Sequence, residues 1–307
     1  MKNKDIDQLD IIIADPAGNI TAFVPQDQQY FYERKITAKM RLAISKNILA
    51  DKDLNVEQVG FIRAVVQVSA AGIFIETEKA KNEKITERHN GEASSLALWH
   101  LEMMGGEFCG NAARSAAIYC SKKENRVGKT KIDLKVSGAS EIVHAVVDTE
   151  NNFAEVRIPN PKTLYEINYE DKILPVCVFE GITHIIASDI PADKEIFFKI
   201  KEIAESQKLS NSALGVMFYD KNDKIMFPAV YVYKTKSLVF ESSCASGSAA
   251  FAAIALKSET NCTKTLRIKQ RGGTINVKIK KAAGEILRLS IGGTVRLTDI
   301  RKKIILP

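Results

Sequence analysis

Two alanine-rich segments, each led by a cysteine, lie in the two halves of this 307-residue chain. The first reads CGNAARSAAI from Cys109, and the second reads CASGSAAFAAI from Cys244, 135 positions further on. That spacing is close to the size of one domain, so it favours an internal duplication. Runs of small residues without a charged face are typical of buried helices. Each half is therefore predicted to wrap a sheet around its own central helix.

The rest of the chain is predicted to consist mainly of strands, because apolar and β-branched runs recur between turn-like residues. Runs at 9–14 and 20–24 flank the turn-like segment DPAGN and predict a hairpin. An amphipathic helix is predicted over about 193–206, and the polar segment 79–92 is predicted to form an exposed loop or hairpin arm. Further strands are predicted at 61–68, 72–76, 131–136, 142–147, 154–158, 173–179, 229–233, 274–279 and 286–291.

Composition limits the classes of function that the chain can have. A hydrophobic content of 45% suits packed cores, so the protein is globular. The net charge of +7 is spread among acidic residues without an aromatic-rich basic block, which argues against nucleic-acid binding. The N-terminus lacks an apolar signal core and no run is long enough for a membrane span, so we expect a cytoplasmic protein. Five cysteines without a CxxC pair predict reduced thiols and no zinc site.

A cysteine directly ahead of a helix lies near unpaired backbone N–H groups and the positive end of the helix dipole. That position favours a thiolate, and the same N–H groups can bind a carboxylate. Two such helix starts facing each other would supply two bases on opposite sides of one carboxylate-bearing carbon, which is the arrangement needed to invert a stereocentre. For any single cysteine, core packing is the alternative. The matching contexts of Cys109 and Cys244 favour a catalytic pair.

Several motifs carry a family resemblance. CGNAAR from Cys109 resembles the motif CGNGAR, and ESSCASG from Glu241 resembles E-T-x-A-C-G-[ST]-G with one residue fewer between the glutamate and the cysteine. The segments PAGNI, GITH and RGGTI resemble H-G-x-G-N-D-F, GNPH and PGG-x-L. Over most of its length the chain thus resembles the cofactor-independent amino-acid racemases typified by diaminopimelate epimerase.

The resemblance implies an α+β fold of two pseudo-symmetric lobes, each a curled, mostly antiparallel sheet around a central helix, with the substrate between them. The N-terminal lobe would span 1–150, completed by a C-terminal strand at 295–307, and the C-terminal lobe would span 151–294. It also implies an isomerase that needs neither pyridoxal phosphate nor a metal, acts on a small amino acid and forms a homodimer.

Carried over by position, Cys109 and Cys244 would be the two acid/base residues. The resemblance further implies that a set of backbone N–H groups binds the α-carboxylate and that Asn19 lies at the cleft. The alternative for Asn19 is a turn residue in a left-handed conformation. The N–H groups are those of Gly110, Asn111, Ala245 and Ser246.

The departures from the family concern the substrate side chain. Residues that hold the distal zwitterion of diaminopimelate are replaced by His100, Ile182, Met217 and the neighbourhood of 235–236. A second zwitterion against Ile and Met would be left unpaired, so diaminopimelate is a poor candidate. The sequence resembles the histidine racemase branch more closely, and histidine is the first substrate predicted. His100 and Glu241 are candidates for touching the substrate, with a core histidine and a loop carboxylate as the alternatives.

Other functions stay open at this point. The chain could epimerise diaminopimelate or racemise another amino acid, or it could be an isomerase or dehydratase on the same fold. It could also be an amino-acid-binding protein without catalysis, since fold does not fix function. Retention of two cysteines in matching contexts favours racemisation.

Overall fold

Strands outnumber helices in this protein, as the sequence predicts. The computed structural model describes residues 8–32, 36–68, 74–76, 97–209, 211–234 and 236–305. The helices are α1 (Gln29–Tyr32), α2 (Ala38–Ala50), α3 (Gly110–Lys123), α4 (Lys194–Ser206) and α5 (Ala245–Ala255), with one 3₁₀ turn at Lys52–Leu54. The strands are β1 (Gln8–Asp15), β2 (Thr21–Pro25), β3 (Gln58–Val68), β4 (Phe74–Glu76), β5 (Ala97–Met103), β6 (Lys129–Val136), β7 (Val143–Asp148), β8 (Phe153–Arg157), β9 (Thr163–Tyr169), β10 (Lys172–Val178), β11 (Ile182–Ser188), β12 (Ala213–Asp220), β13 (Ile225–Val232), β14 (Ser237–Phe240), β15 (Cys262–Gln270), β16 (Gly273–Ala282), β17 (Glu285–Thr294) and β18 (Arg296–Ile305).

The strands pair in one continuous series whose two halves repeat each other. Its order is β18-β1-β2-β3-β5-β6-β7-β8, followed by β17-β16-β15-β13-β12-β11-β10-β9. The pairs can be counted inward from the outermost strand, which is β18 in one half and β9 in the other. In both halves the third and fifth pairs are parallel, and the other pairs are antiparallel. This repeated order agrees with the duplication that the two cysteine segments indicate. The fold is a mixed α/β structure with a large sheet and few helices.

Helices α3 and α5 lie at the centre of the largest hydrophobic core. Every residue of α3 from Gly110 to Ser121 is buried, and the small residues of α5 pack into the same core. Helices α2 and α4 pack instead into two smaller cores, α2 with β1–β3 and α4 with β9–β13. The alanines of α3 and α5 permit this enclosure because a small side chain lets strands approach closely on all sides.

The predicted hairpin and helix are confirmed, and two helices, α1 and α2, were not predicted. β1 and β2 pair antiparallel, with Ile13 opposite Ala22. Helix α4 begins after Asp193, whose carboxylate accepts hydrogen bonds from the first N–H groups, and it buries Phe197 and Ile200. Helix α2 buries few side chains, among them Ile44 and Ile48. Because apolar residues do not recur along one face of this helix, periodicity did not predict it.

Other predictions are tested in part. The nine predicted strands correspond to observed strands, although residues 72–73 and the predicted loop at 79–92 lie outside the described residues. Strand β18 corresponds to the C-terminal strand predicted at 295–307. Six strands were not predicted: β5, β9, β11, β12, β14 and β15. Within the described ranges, no helix is long and apolar enough to cross a membrane.

A buried lysine on β16 closes the C-terminal end of α5. The ammonium of Lys281 donates hydrogen bonds to the carbonyl oxygens of Leu256 at 2.9 Å and Lys257 at 3.1 Å. Helix α5 has no basic residue in its own last turn. Because terminal carbonyls lack partners within the helix, a cation supplied by a neighbouring strand stabilises this end.

We expect Lys281→Met to lower the free energy of unfolding by about 1–3 kcal/mol, because it leaves buried helix carbonyls without their charged donor. Urea unfolding followed by circular dichroism measures this change. Lys280→Met is the matched control, since Lys280 is an exposed neighbour on the same strand. Equal unfolding free energies for the two variants would contradict the capping role.

Candidate active site

Cys109 and Cys244 occupy equivalent positions at the starts of the two central helices. Cys109 is the N-cap of α3 with φ −126° and ψ 113°, and Cys244 is the N-cap of α5 with φ −128° and ψ 114°. Each sulfur accepts a hydrogen bond from the backbone N–H three residues on, that of Ala112 or Gly247, at 3.4 Å. The two segments thus have the same local geometry as well as similar sequences.

The two helix starts lie directly against each other. A Cβ atom placed on Gly110 would lie 3.2 Å from the Cβ of Ala245 and only 2.3 Å from Ile291. The side-chain amide of Asn111 donates to the backbone oxygen and to the hydroxyl of Ser243, each at 3.2 Å. These two hydrogen bonds join the first turn of α3 to Ser243, the residue before Cys244. A side chain at position 110 would therefore displace the end of Ile291 and press against Ala245.

Backbone donors converge where the helices meet. The first N–H groups of an α-helix have no partner within the helix, and here they belong to Gly110 and Asn111 in α3 and to Ala245 and Ser246 in α5. Together with the positive ends of two helix dipoles, they form a place suited to an anion. The sequence-predicted carboxylate-binding groups are thus near one another.

The thiolate expected from the sequence is not the resting state that this environment favours. Burial raises the pKa of Cys109 to about 12, although the Ala112 N–H and the side chain of Gln58 lower it in part. Burial, followed by the nearby Glu241, raises the pKa of Cys244 well above that of a free thiol. The helix N–H groups act in the expected direction, but desolvation outweighs them.

Three glutamates surround the cysteine pair, and two of them were not predicted. The Glu241 carboxyl interacts with the nearby Cys244 thiol, and burial raises the pKa of Glu241 to about 8. Burial also raises the pKa of Glu107, whose Oε2 has no hydrogen-bond partner among the described residues. Glu57 is held by the Asn19 amide at 2.8 Å and the Ser242 hydroxyl at 2.7 Å. The site therefore provides several acidic groups to a cationic ligand.

Asn19 lies in this region but not in the conformation that the alternative interpretation requires. The left-handed residues of its turn are Ala17 and Gly18, with φ 71° and 92°. Asn19 itself is buried, donates to Glu57 and accepts from Gln58. Gln58 also donates to Thr21 at 2.8 Å, and its side chain is close enough to Cys109 to lower the pKa of that thiol. Asn19 therefore helps to orient Glu57 and Gln58 near the cysteine.

His100 lies apart from this group. It is on β5 between the buried residues Trp99 and Leu101, so its side chain points to the sheet face away from α3. Burial, and then the charge of Arg63, lowers its pKa, and neither cysteine is among the groups that act on it. His100 is therefore not among the groups that surround the two cysteines.

Two buried polar side chains near the helix starts, those of Arg114 and His184, were not predicted as site residues from the sequence. The fully buried guanidinium of Arg114 donates to Asn111 at 2.8 Å and to the Pro16 carbonyl at 3.2 Å. The ring of His184 lies 2.9 Å from the Ser246 hydroxyl. Both residues stand in motifs that resemble the family, CGNAAR and GITH, and a histidine inside an otherwise apolar strand was an available signal.

A narrow apolar recess opens beside both cysteines. Phe108 precedes Cys109 and Ser246 follows Cys244 by two residues, and both line the recess. Its other walls are mainly apolar, with one carboxylate: Gly138, Ile158, Pro159, Phe179, Glu180 and Ile182. Ile182 stands where the epimerase motif has a polar asparagine. All five cysteines are free, and no group of three His, Cys, Asp or Glu side chains in the described part could hold a metal ion.

Comparison with known proteins identifies the family. A model described as the histidine racemase CntK N-terminal domain matches residues 85–300. A histidine racemase of Fusobacterium nucleatum is 34% identical over 250 residues, which cover 79% of each chain. The chain belongs to the histidine racemase family. Membership in the histidine racemase family confirms the resemblance given by the cysteine motifs and the prediction of an isomerase of the racemase class.

Solved structures support the fold. A structure described as a predicted epimerase from Pseudomonas aeruginosa has a TM-score of 0.60 at 11% identity, covering 97% of this chain and 99% of that one. A hydroxyproline epimerase from Agrobacterium vitis has a TM-score of 0.57 at 9% identity, covering 98% and 95%. At these identities the likeness concerns the fold alone.

The raised pKa of Glu241 predicts a specific pH dependence of stability. The folded protein keeps this proton up to about pH 8, whereas the unfolded chain releases it near 4.5, so the folded state binds more protons in between. Its contribution to the free energy of unfolding therefore falls as pH rises from 4.5 to 8, by at most about 1.4 kcal/mol per pH unit. Glu241→Gln should remove this fall. Urea unfolding across this range measures it, and parallel curves for both proteins would refute the assignment.

Proposed function

We propose that this protein interconverts L- and D-histidine by proton transfer at Cα between Cys109 and Cys244, without pyridoxal phosphate or a metal. The observation that carries the proposal is the matched pair of cysteine N-caps on two helices whose first turns touch. Family membership supports a racemase, and the relatives that match are histidine racemases.

The α-carboxylate of the substrate binds where the two helix starts meet. The free N–H groups of Gly110, Asn111, Ala245 and Ser246 donate to its oxygens. When the α-proton leaves, negative charge moves from Cα onto this carboxylate, and the same donors stabilise the enolate-like transition state. Because these donors belong to helices that are buried and fixed in place, they need no reorganisation during the reaction.

The substrate ammonium faces the acidic side of the site. Glu57, directly before β3, and Glu241, in the loop before α5, lie near the cysteines, and Glu107 precedes Cys109 by two residues. A bound ammonium adds a positive charge next to the cysteines, and an adjacent positive charge favours ionisation of a thiol. Binding therefore prepares one of two otherwise protonated cysteines to act as a base.

Each turnover moves two protons and leaves the pair in the opposite state. The thiolate on one face takes the α-proton and becomes a thiol, while the thiol on the other face gives its proton to Cα and becomes a thiolate. The product is the opposite enantiomer, and the pair then stands ready for the reverse reaction. Because only one cysteine is ionised at a time, the two titrate as a coupled unit.

The recess beside the cysteines is the proposed subsite for the side chain. Its walls, which include Phe108, Phe179 and Ile182, are mainly apolar and suit an uncharged side chain better than a second zwitterion. The carboxylate of Glu180 can accept a hydrogen bond from an imidazole N–H. An imidazole combines a planar ring with such a donor, and this combination favours histidine over diaminopimelate.

The two halves of the strand series are proposed to be two lobes around the site. β8 extends the first half beside β7, and β18 closes that half beside β1. The lobes would then be 8–158 with 296–305, and 159–294, which moves the predicted boundary from 150 to the end of β8. A homodimer and a cytoplasmic location complete the proposal, and sedimentation of the purified chain would test the former.

Incubation with single amino acids in heavy water, with a chelator present, should give the opposite enantiomer with deuterium at Cα, and histidine should react fastest.

Cys109→Ala and Cys244→Ala should each lower kcat by about 10²–10⁴-fold, because each removes one acid/base group. Cys262→Ala is the control, since this half-buried thiol lies on β15 away from both helix starts. A kcat near that of the unmodified enzyme in Cys109→Ala or Cys244→Ala would exclude the two-base scheme. Exchange with another amino acid alone would exclude histidine as the substrate.

Ile182→Phe should fill the recess and lower kcat/KM for histidine at least about tenfold, because a misplaced side chain removes Cα from its position between the bases. The control is Ile173→Phe, the same change at a strand residue that is 63% exposed. Chiral chromatography of initial rates distinguishes the two variants. If both behave alike, the recess does not hold the substrate side chain.

A further inference from the structure

A hydrogen-bonded chain leads from Cys244 into the protein interior. The sulfur of Cys244 lies 3.5 Å from the hydroxyl of Ser246, and this hydroxyl lies 2.9 Å from Nε2 of His184. Ser246 is in the first turn of α5, while His184 is on β11. The chain therefore joins a central helix to the strand that packs beside it.

The ring of His184 is enclosed by other residues on the side that does not face Ser246. Its side chain is fully buried, and Phe179 meets its ring edge-on at a centroid distance of 6.1 Å. A Cβ atom on Gly215 would lie 2.3 Å from Nδ1, so only glycine leaves room for the ring here. Nδ1 has no hydrogen-bond partner among the described residues. Burial lowers the pKa of His184 to about 3, which keeps the ring neutral at working pH.

This enclosure decides where the single ring proton lies. A neutral imidazole has one N–H donor and one acceptor nitrogen. A buried N–H group without an acceptor is rarer and costlier in proteins than an acceptor without a donor. The proton therefore lies on Nε2 and is donated to Ser246. With its oxygen accepting from His184, the hydroxyl of Ser246 has its own proton available for the sulfur of Cys244.

We propose that His184 and Ser246 are positioning residues for Cys244, in which His184 orients the Ser246 hydroxyl so that it donates to the sulfur and stabilises the thiolate. The inference rests on the proposed function, in which Cys244 is one of the two bases. It gives a neutral histidine a role that involves no proton transfer to the ring.

The arrangement is specific to one of the two cysteines. The groups that face the Cys244 sulfur are Ser246, the Gly247 N–H and the carboxyl of Glu241. The position in α3 that matches Ser246 is Asn111, and its amide turns to Ser243 instead. The side chain that lowers the pKa of Cys109 is that of Gln58 instead. Each cysteine thus has its own polar neighbour, and removal of one neighbour should affect one sulfur.

Alkylation by iodoacetamide, followed at both cysteine peptides by mass spectrometry between pH 7 and 10, tests the inference without any turnover. Ser246→Ala should slow alkylation of Cys244 by about three- to tenfold at pH 8, the effect of one lost hydrogen bond, and leave Cys109 within about twofold. Ser246→Thr keeps a hydroxyl and should restore the rate. His184→Phe should slow Cys244 in the wild-type background but not further in Ser246→Ala, because the histidine acts through the serine.

Gln58→Leu is the mirror-image control, and it should slow Cys109 and not Cys244. Circular dichroism and thermal unfolding establish that each variant is folded; if His184→Phe is not, the two Ser246 variants decide the question. An unchanged Cys244 rate in Ser246→Ala, or an equal loss at both cysteines, would overturn the inference. Absence of deuterium exchange with an intact alkylation pattern would instead contradict the proposed function alone.

Discussion

The contact between the first turns of α3 and α5 is the constraint on which the rest of the structure depends. Gly110 allows the two helices to touch, and the Asn111 amide bonds the start of α3 to Ser243. Both helices are surrounded by strands, so neither start can move without displacing the core. Two cysteines, four backbone donors and the ends of two dipoles are thereby fixed relative to one another.

Burial around this contact has opposing effects on the chemistry. It strengthens the interaction of the helix donors with a bound carboxylate, because charges interact more strongly in a medium of low dielectric constant. The same burial raises the pKa of Cys109, and that of Glu241 as well. Both cysteines are thus protonated in the free protein. In the proposed reaction, a cysteine gains reactivity only when the charges of a bound amino acid are present.

Local pattern predicted the parts of the site that lie close together in the chain. The two cysteine segments predicted their helices, their N-cap positions and the nearby N–H donors correctly, since a helix start is determined within a few residues. Glu57, Gln58 and His184 were missed because they reach the site from strands far along the chain, and pairing between distant strands cannot be inferred from periodicity. The thiolate expectation failed for a related reason: the dipole acts locally, whereas desolvation reflects the whole core.

The pairing of β1 with β18 also has a consequence for how the chain is made. The hydroxyl of Thr298 donates to the carbonyl of Ile13 across 285 positions of sequence, so this part of β18 is synthesised 285 residues after its partner in β1. At a rate of synthesis of about 5–20 residues per second, the edge of β1 that pairs with β18 stays unpaired for roughly a quarter of a minute to a minute. An open strand edge invites pairing with other chains during that interval. The first half of the sheet is therefore exposed to misassembly on the ribosome for longer than the second.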